Sequence, residues 1–338
     1  MTATLFLATA LSALSLPQSP GHVDFYGVRS TDEAALRRVL DQEGDWLDRR
    51  KELEAELRTV DGVVDATIMV MHVINSDAPP NVLIGILEED TPPLVLRDAP
   101  TGSINLPKEF HEAYRKGLDA SMEGMMKGEG GETTDEGHAI SRYLPARILD
   151  LKLRDLTREH LDLVRRALRE SGDEESRTVA ANAIAYAEDK SSIVADLEHA
   201  ITDPHDSVRN NAVRALSVLA DWANRDDVDF EVSVDPKPLL AMLESYVWTD
   251  RNKASALLSK LTVRRDAGLL AALREHSIPA LREMAMWRSV GHATFSIRIL
   301  GRVAGLTEDE IAGELSRVRR DYDARCEWIA ELAEAAAN

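Results

Sequence analysis

The chain has 338 residues, enough for two or three domains each with its own core, and its 44% hydrophobic and 29% charged residues are those of a globular protein. A net charge of −19 repels phosphate backbones and anionic lipid, which argues against general nucleic-acid binding and against electrostatic membrane anchoring. Scarce aromatics, at 5%, favour helix over a β-sandwich or barrel, and the lone Cys326 can form neither an internal disulfide nor a Cys-based zinc site.

Residues 1–20 come first. The apolar run Leu5 to Leu16 stops at Pro17 and Pro20. It is too short to span a bilayer and fits the core of a signal peptide, although no Lys or Arg precedes it. The segment predicts export to the periplasm or beyond, with no stable membrane insertion after its removal. If it is not a signal, the protein is cytoplasmic.

Residues 22–90 mix strand and helix signals. Val23–Tyr26 alternates apolar and polar and ends at Gly27, as a short strand would. Thr31-Asp32-Glu33 caps a helix with Ala35, Leu36, Val39 and Leu40 on one face, and Gly44-Asp45 breaks it. Leu47 to Val60 reads as a second helix, carrying Leu53, Leu57 and Val60, and Asp61-Gly62 turns the chain. The β-branched runs Val63–Ile74 and Val82–Leu87 read as a hairpin joined by Asn75–Pro80.

The order β-α-α-β-β, with Phe25-Tyr26-Gly27, Glu43-Gly44-Asp45, Leu57–Val63 and Glu88-Glu89 at its junctions, resembles the POTRA domain of bacterial envelope proteins. That resemblance implies docking by strand addition at a sheet edge. A small α+β domain unrelated to POTRA is the open alternative.

Residues 91–145 form a connector. Pro92, Pro93 and Pro100 keep its start irregular, and Pro107 opens a helix to about Met126. Lys127–Gly137 has no apolar residue and reads as a mobile acidic loop, with His138 at its solvated end.

Residues 146–338 are nearly all helical, and they repeat. Arg177, Arg209, Arg251 and Arg288 are each followed three residues on by a small residue: Ala180, Ala212, Ala254 and Gly291. Pairs follow at six and seven, apolar in the first three copies, and Ala187, Leu219 and Leu261 stand at ten. Those offsets draw one helical stripe. In the fourth copy Thr294 is polar and the register drifts toward Ile299-Leu300. Each stripe follows another amphipathic helix, so the unit is a helical hairpin that buries its faces by stacking on neighbours.

Asp203-Pro204-His205-Asp206-Ser207-Val208-Arg209-Asn210-Asn211-Ala212-Val213-Arg214-Ala215-Leu216 resembles the HEAT-repeat family, in particular its short lyase-type bacterial form. The resemblance implies a curved α-solenoid that binds proteins. It also implies that the repeat arginines pair with acids in the turns as a ladder. Arg177, Arg209, Arg251, Arg288 and Asp206 are the expected members, with Glu174 and Asp250 close by in sequence. An anion-binding row of arginines is the competing reading. The stretches Asp135–His138, Ala187–Lys190, Val208–Asn211, Trp248–Lys253 and Ile299–Gly301 also resemble uncharacterised bacterial HEAT-repeat proteins, which brings no activity.

No His-Glu-x-x-His, phosphate loop or Gly-x-Ser-x-Gly elbow occurs. No cofactor, metal or catalytic residue is therefore assigned. Trp248, Asp250, Arg251 and Lys253 are candidate partner contacts, since tryptophan and arginine at a repeat edge are often energetic in interfaces; packing and capping is the plainer role. The expected function is a non-enzymatic, protein-binding scaffold of the bacterial envelope. An enzyme or enzyme-associated factor with a site near the connector is the alternative.

Overall fold

The computed structural model describes residues 21–40, 49–71, 79–92 and 94–338. The signal-peptide reading of 1–20, the break at Glu43-Gly44-Asp45 and most of the expected hairpin loop lie outside them. The described chain is mainly α-helical with a small N-terminal sheet. It divides into two compact units: one runs up to Thr91 and includes Ser245–Trp248, and the other holds Pro92–Glu244 and Thr249–Asn338. The connector thus belongs with the helical unit.

The first unit contains β1 (His22–Tyr26), α1 (Glu33–Leu40), α2 (Arg50–Leu57), β2 (Val63–Met71) and β3 (Asn81–Glu88). The strand order is β1-β3-β2, with β3 parallel to β1 and antiparallel to β2. Alternation puts Ala66 and Ile68 of β2 and Val82, Ile84 and Ile86 of β3 on one face, where Leu36, Leu40, Leu53 and Leu57 of the two helices cover them. Gly85 is in β3 because a Cβ there would lie 2.0 Å from the Tyr246 carbonyl oxygen. That carbonyl accepts from the Tyr26 hydroxyl at 2.8 Å, and the Tyr246 hydroxyl donates to Asp65 at 2.8 Å.

This unit is also held by a buried acid. The Glu88 carboxylate, 2% exposed, accepts from the backbone N–H groups of Arg29, Ser30 and Thr31 at 2.9–3.0 Å, and from the Ser30 hydroxyl at 3.0 Å. Burial pushes its pKa up, but the bonds from the 29–31 turn outweigh that and hold it down at about 2.

In the helical unit, α3 (Lys108–Met126) follows Pro107, and a two-stranded hairpin comes next, β4 (Glu132–Thr133) and β5 (Ile140–Ser141). Then come α4 (Leu144–Glu159), α5 (Leu161–Glu170), α6 (Glu174–Ala183), α7 (Val194–Ala200), α8 (Asp206–Ala223) and α9 (Pro236–Leu243). The last helices are α10 (Trp248–Leu261), α11 (Ala267–His276), α12 (Ile278–Ala285), α13 (Val290–Val303), α14 (Glu308–Val318) and α15 (Tyr322–Ala337). Proline stands in the first turn of α4, α9 and α12, where its missing N–H leaves no helical bond unmade.

Helix α6 packs on α5 and α8, α8 on α7, and α13 on α12. The small residues Ala180, Ala212 and Ala254 are fully buried, as close helix approach needs. The stripes at six and seven, Ala183-Ile184, Ala215-Leu216 and Leu257-Leu258, are buried as well. The fourth copy is different. Gly291 and Arg298 are exposed, while Ala293, Ser296, Ile297 and Leu300 are buried. Helix α13 begins only at Val290, after Ser289, so its stripe counts from Val290 and not from Arg288.

Candidate functional site

The helical unit is joined by arginines that each reach in two directions. Arg177 on α6 donates to the Asp203 carboxylate at 2.9 and 3.2 Å, and to the Ser171 carbonyl at 2.9 Å. Arg209 on α8 donates to Asp250 at 2.9 and 2.7 Å, and to the Asp203 carbonyl at 2.8 Å. Arg251 on α10 donates to Glu283 of α12 at 2.6 Å, and to the Glu244 carbonyl at 3.3 Å. Each guanidinium thus ties a carbonyl in the turn before its own helix to an acid further along the chain. Asp203 is the central rung: it is fully buried, receives Arg177 and Arg97, and offers its carbonyl to Arg209. Charges so buried need partners, and each of these guanidiniums has both an acid and a carbonyl.

Several expectations need correction on this geometry. Asp206 is not the acid of its turn. Its side chain is half exposed, beside His205 and Ser207, and Asp203, three residues earlier, holds the arginines. Among the described residues Arg288 pairs with no acid; its guanidinium lies over the Tyr322 ring at 3.7 Å. Its expected place near the end of the unit goes to arginines outside the repeat pattern. Arg302 grips Glu308 at 2.8 and 2.9 Å and reaches the Ser259 carbonyl and the Thr262 hydroxyl, and Arg325 donates to the Trp287 carbonyl at 2.9 Å. The six-residue spacing of Arg302 and Glu308 is the only sequence signal for the first, and the second bonds a carbonyl, which leaves no sequence trace. Asp250 and Arg251, expected at a partner surface, are 0% and 1% exposed and lie in the ladder. Trp248 is half-buried at the first residue of α10.

The acidic segment after α3 is pinned along the helices. Glu132 pairs with Arg214 of α8, Asp135 lies 3.5 Å from Arg225, Thr134 accepts from Arg225 at 3.0 Å, and Glu136 lies 3.4 Å from Arg158 of α4. Gly137, at φ +72°, lets the backbone pass so close to Trp222 that a Cβ would sit 3.0 Å from the indole. His138 is therefore not a solvated loop end: it is 2% exposed, edge-on to Tyr186 with ring centroids 5.1 Å apart. The Lys190 ammonium donates to the carbonyls of Ala185 and Ala187 at 2.7 and 2.8 Å and lies 3.0 Å from His138 Nδ1. Burial, then the Lys190 charge, pushes the His138 pKa down to about 4; burial, then Arg158, lowers Lys190 to about 8. A neutral ring accepting from a charged lysine fits both shifts. The cleft at His138, Tyr186, Asn182, Asn211 and Arg214 offers about 10 Å³, about the room of one water.

Lys253, the fourth expected contact residue, differs from its neighbours. Among the described residues it makes no hydrogen bond and no ion pair, although its side chain is largely covered. Burial, then the Arg214 charge, lowers its pKa to about 8. Asn211 donates to the Tyr114 hydroxyl and the Thr178 carbonyl, both at 3.0 Å, and His292 on α13 meets the Ser289 hydroxyl at 2.9 Å.

Among the described residues no group of three or more His, Cys, Asp or Glu is placed to hold a metal ion, and no helix is long and apolar enough to cross a membrane. Neither a protein-family model nor a curated protein sequence matches the chain.

Proposed function

We propose that the protein is a non-catalytic scaffold whose helical unit is an α-solenoid of HEAT-like hairpins that binds a protein partner. The observation that carries this reading is the ladder of Arg177, Arg209 and Arg251, which links successive helix pairs through Asp203, Asp250 and Glu283. A device repeated along the chain builds a long, fixed surface, and a surface with the same residue position presented on successive helices suits recognition of an extended partner. The buried His138–Lys190–Tyr186 group gives the alternative, an enzyme, little support: its polar atoms are engaged with one another and with carbonyls, and its cleft has no space for a substrate. Export to the cell envelope, with the N-terminal unit as a POTRA-like second contact, completes the proposal.

The test is site-specific photo-crosslinking of the full chain in its own cells. Crosslinkers placed one at a time at exposed helix positions, such as Ile148 of α4 and Asp309 of α14, should trap one recurring protein from a continuous band of positions. Adducts from no position, or a different protein from every position, would sink the reading.

A further inference from the structure

The ladder fixes how α8, α10 and α13 lie side by side. Near their N-termini Arg209 of α8 bonds Asp250 of α10; near their C-termini Asp221 pairs with Lys260, and Asn224 donates to the Lys260 carbonyl at 2.9 Å. Arg302, near the end of α13, bonds the Ser259 carbonyl near the end of α10 and Thr262 just after it. Helices α8 and α10 therefore run in the same direction, and so does α13, whose His292, near its N-terminus, lies close enough to Lys253 to feel its charge. Counting two residues from the repeat position gives Asn211 after Arg209, Lys253 after Arg251, and His292 after Val290, once α13 is read in its observed register. Arg214 stands one turn further along α8 from Asn211. A polar or cationic donor thus recurs at one place on three successive helices.

The acid balance of this strip is lopsided. The acids nearby, Asp203 and Asp250, are fully engaged by the ladder, and Asp221 is held by Lys260. Glu132 of the pinned hairpin reaches the strip and pairs with Arg214, and Asp150 of α4 lies near enough to feel the Arg214 charge. Among the described residues Lys253 pairs with none, on a molecule with 59 acidic residues against 40 lysines and arginines. A half-buried lysine without a protein partner loses part of its hydration and gains no ion pair in return.

We propose that Lys253 and His292, beside the Arg214–Glu132 pair, form a strip that binds an extended acidic segment of a protein partner, with a carboxylate seated on Lys253 as Glu132 is seated on Arg214. This rests on the scaffold reading and names its partner's chemistry. Packed helices stand about 9 Å apart, and three residues of extended chain cover about 10 Å. The segment should therefore carry an acid at every third residue.

The probe is a fluorescent peptide with four Ser-Glu-Gly repeats, titrated into the full chain at low salt and read by anisotropy. A peptide of the same composition with its glutamates clustered, one with lysine for glutamate, inorganic phosphate and a single-stranded oligonucleotide are the other arms. The spaced acidic peptide should bind best, and Lys253→Met should weaken it by about tenfold, the worth of a single charge-assisted hydrogen bond. The same substitution should leave thermal stability unchanged or raised, because it removes a half-buried charge that has no partner among the described residues. A merely structural lysine would give the opposite, a lowered midpoint. Should Lys253→Met fail to fold, NMR of ¹³C-methylated wild-type protein decides: peptide must shift the Lys253 resonance. No binding at millimolar peptide, equal binding by Lys253→Met, or equally strong competition by phosphate or oligonucleotide would overturn the inference. Crosslinking that succeeds while the peptide fails leaves the scaffold standing and removes only the acidic partner.

Discussion

Buried charges hold each of the two units of this chain, and they are satisfied in opposite ways. In the N-terminal unit Glu88 is held by backbone N–H groups of a single turn, Arg29 to Thr31. In the helical unit the buried Arg177 and Arg209 are held by carboxylates from further along the chain, Asp203 and Asp250. The first closes a local turn against a strand end, and the second joins one helix pair to the next. A carboxylate met mostly by main-chain donors has little to lose when a neighbouring side chain is substituted. A carboxylate met by side chains strands its partners when it is removed.

The largest effect should come from removing the shared rung. Asp203→Ala leaves Arg177 and Arg97 facing no acid, and breaking a buried pair from one side costs about 3–5 kcal/mol. Urea denaturation followed by helical circular dichroism measures it. Asp203→Asn keeps the acceptor oxygen and should lose less. A loss under about 1 kcal/mol for the alanine variant would show that the ladder does not hold the helices together.

The contrasting acid should show itself in pH. Glu88 ionises at about 2 in the fold against an ordinary 4.5, so its contribution is fully present above 4.5 and is lost as pH falls toward 2. A shift of that size is worth at most about 3 kcal/mol. His138 adds a separate window at higher pH. Its folded value of about 4 lies below the ordinary 6.5, so the unfolded chain takes up a proton that the fold refuses, and stability falls from about pH 6.5 down to 4. That loss is of similar size, at most about 3 kcal/mol. His138→Gln should abolish the upper window alone, and Glu88→Gln the lower. Acid unfolding profiles that the two variants share with the parent would refute the assignments.

The same contrast explains what is legible in the sequence. The β-α-α-β-β order of the first unit and the helix after Pro107 emerge from hydrophobic spacing and proline placement, because burial acts on every residue of an element. The repeat arginines stand out because a long-range pair repeated along the chain leaves a period. Glu88 leaves little mark, since its partners are mostly backbone amides, which every residue carries, with the Ser30 hydroxyl beside them. Nor does His138: a stretch with no apolar residue reads as solvated, and nothing local announces that Arg158, Arg214 and Arg225 pin its acids and draw the histidine after them into the interior. The fourth repeat deceives because Arg288 copies the period of its predecessors, while the helix itself starts two residues later.

Two smaller effects sharpen the comparison from its weak end. Arg288→Ala removes a guanidinium stacked on Tyr322 and should cost about 0.5–1 kcal/mol, as a partly exposed cation–π contact does. Asp206→Ala should cost less still, up to about 0.5 kcal/mol. Asp206 lies in the first turn of α8, where a negative charge meets the positive end of the helix, and its half-exposed carboxylate is screened by water. Asp203 and Asp206 are three residues apart, the same residue type and in the same turn, yet the expected losses differ several-fold. The difference comes from burial and from how many guanidiniums each acid leaves behind. Equal losses at the two positions, measured by urea denaturation in the same buffer, would mean that the turn as a whole, and not the rung at Asp203, carries the junction between α6 and α8.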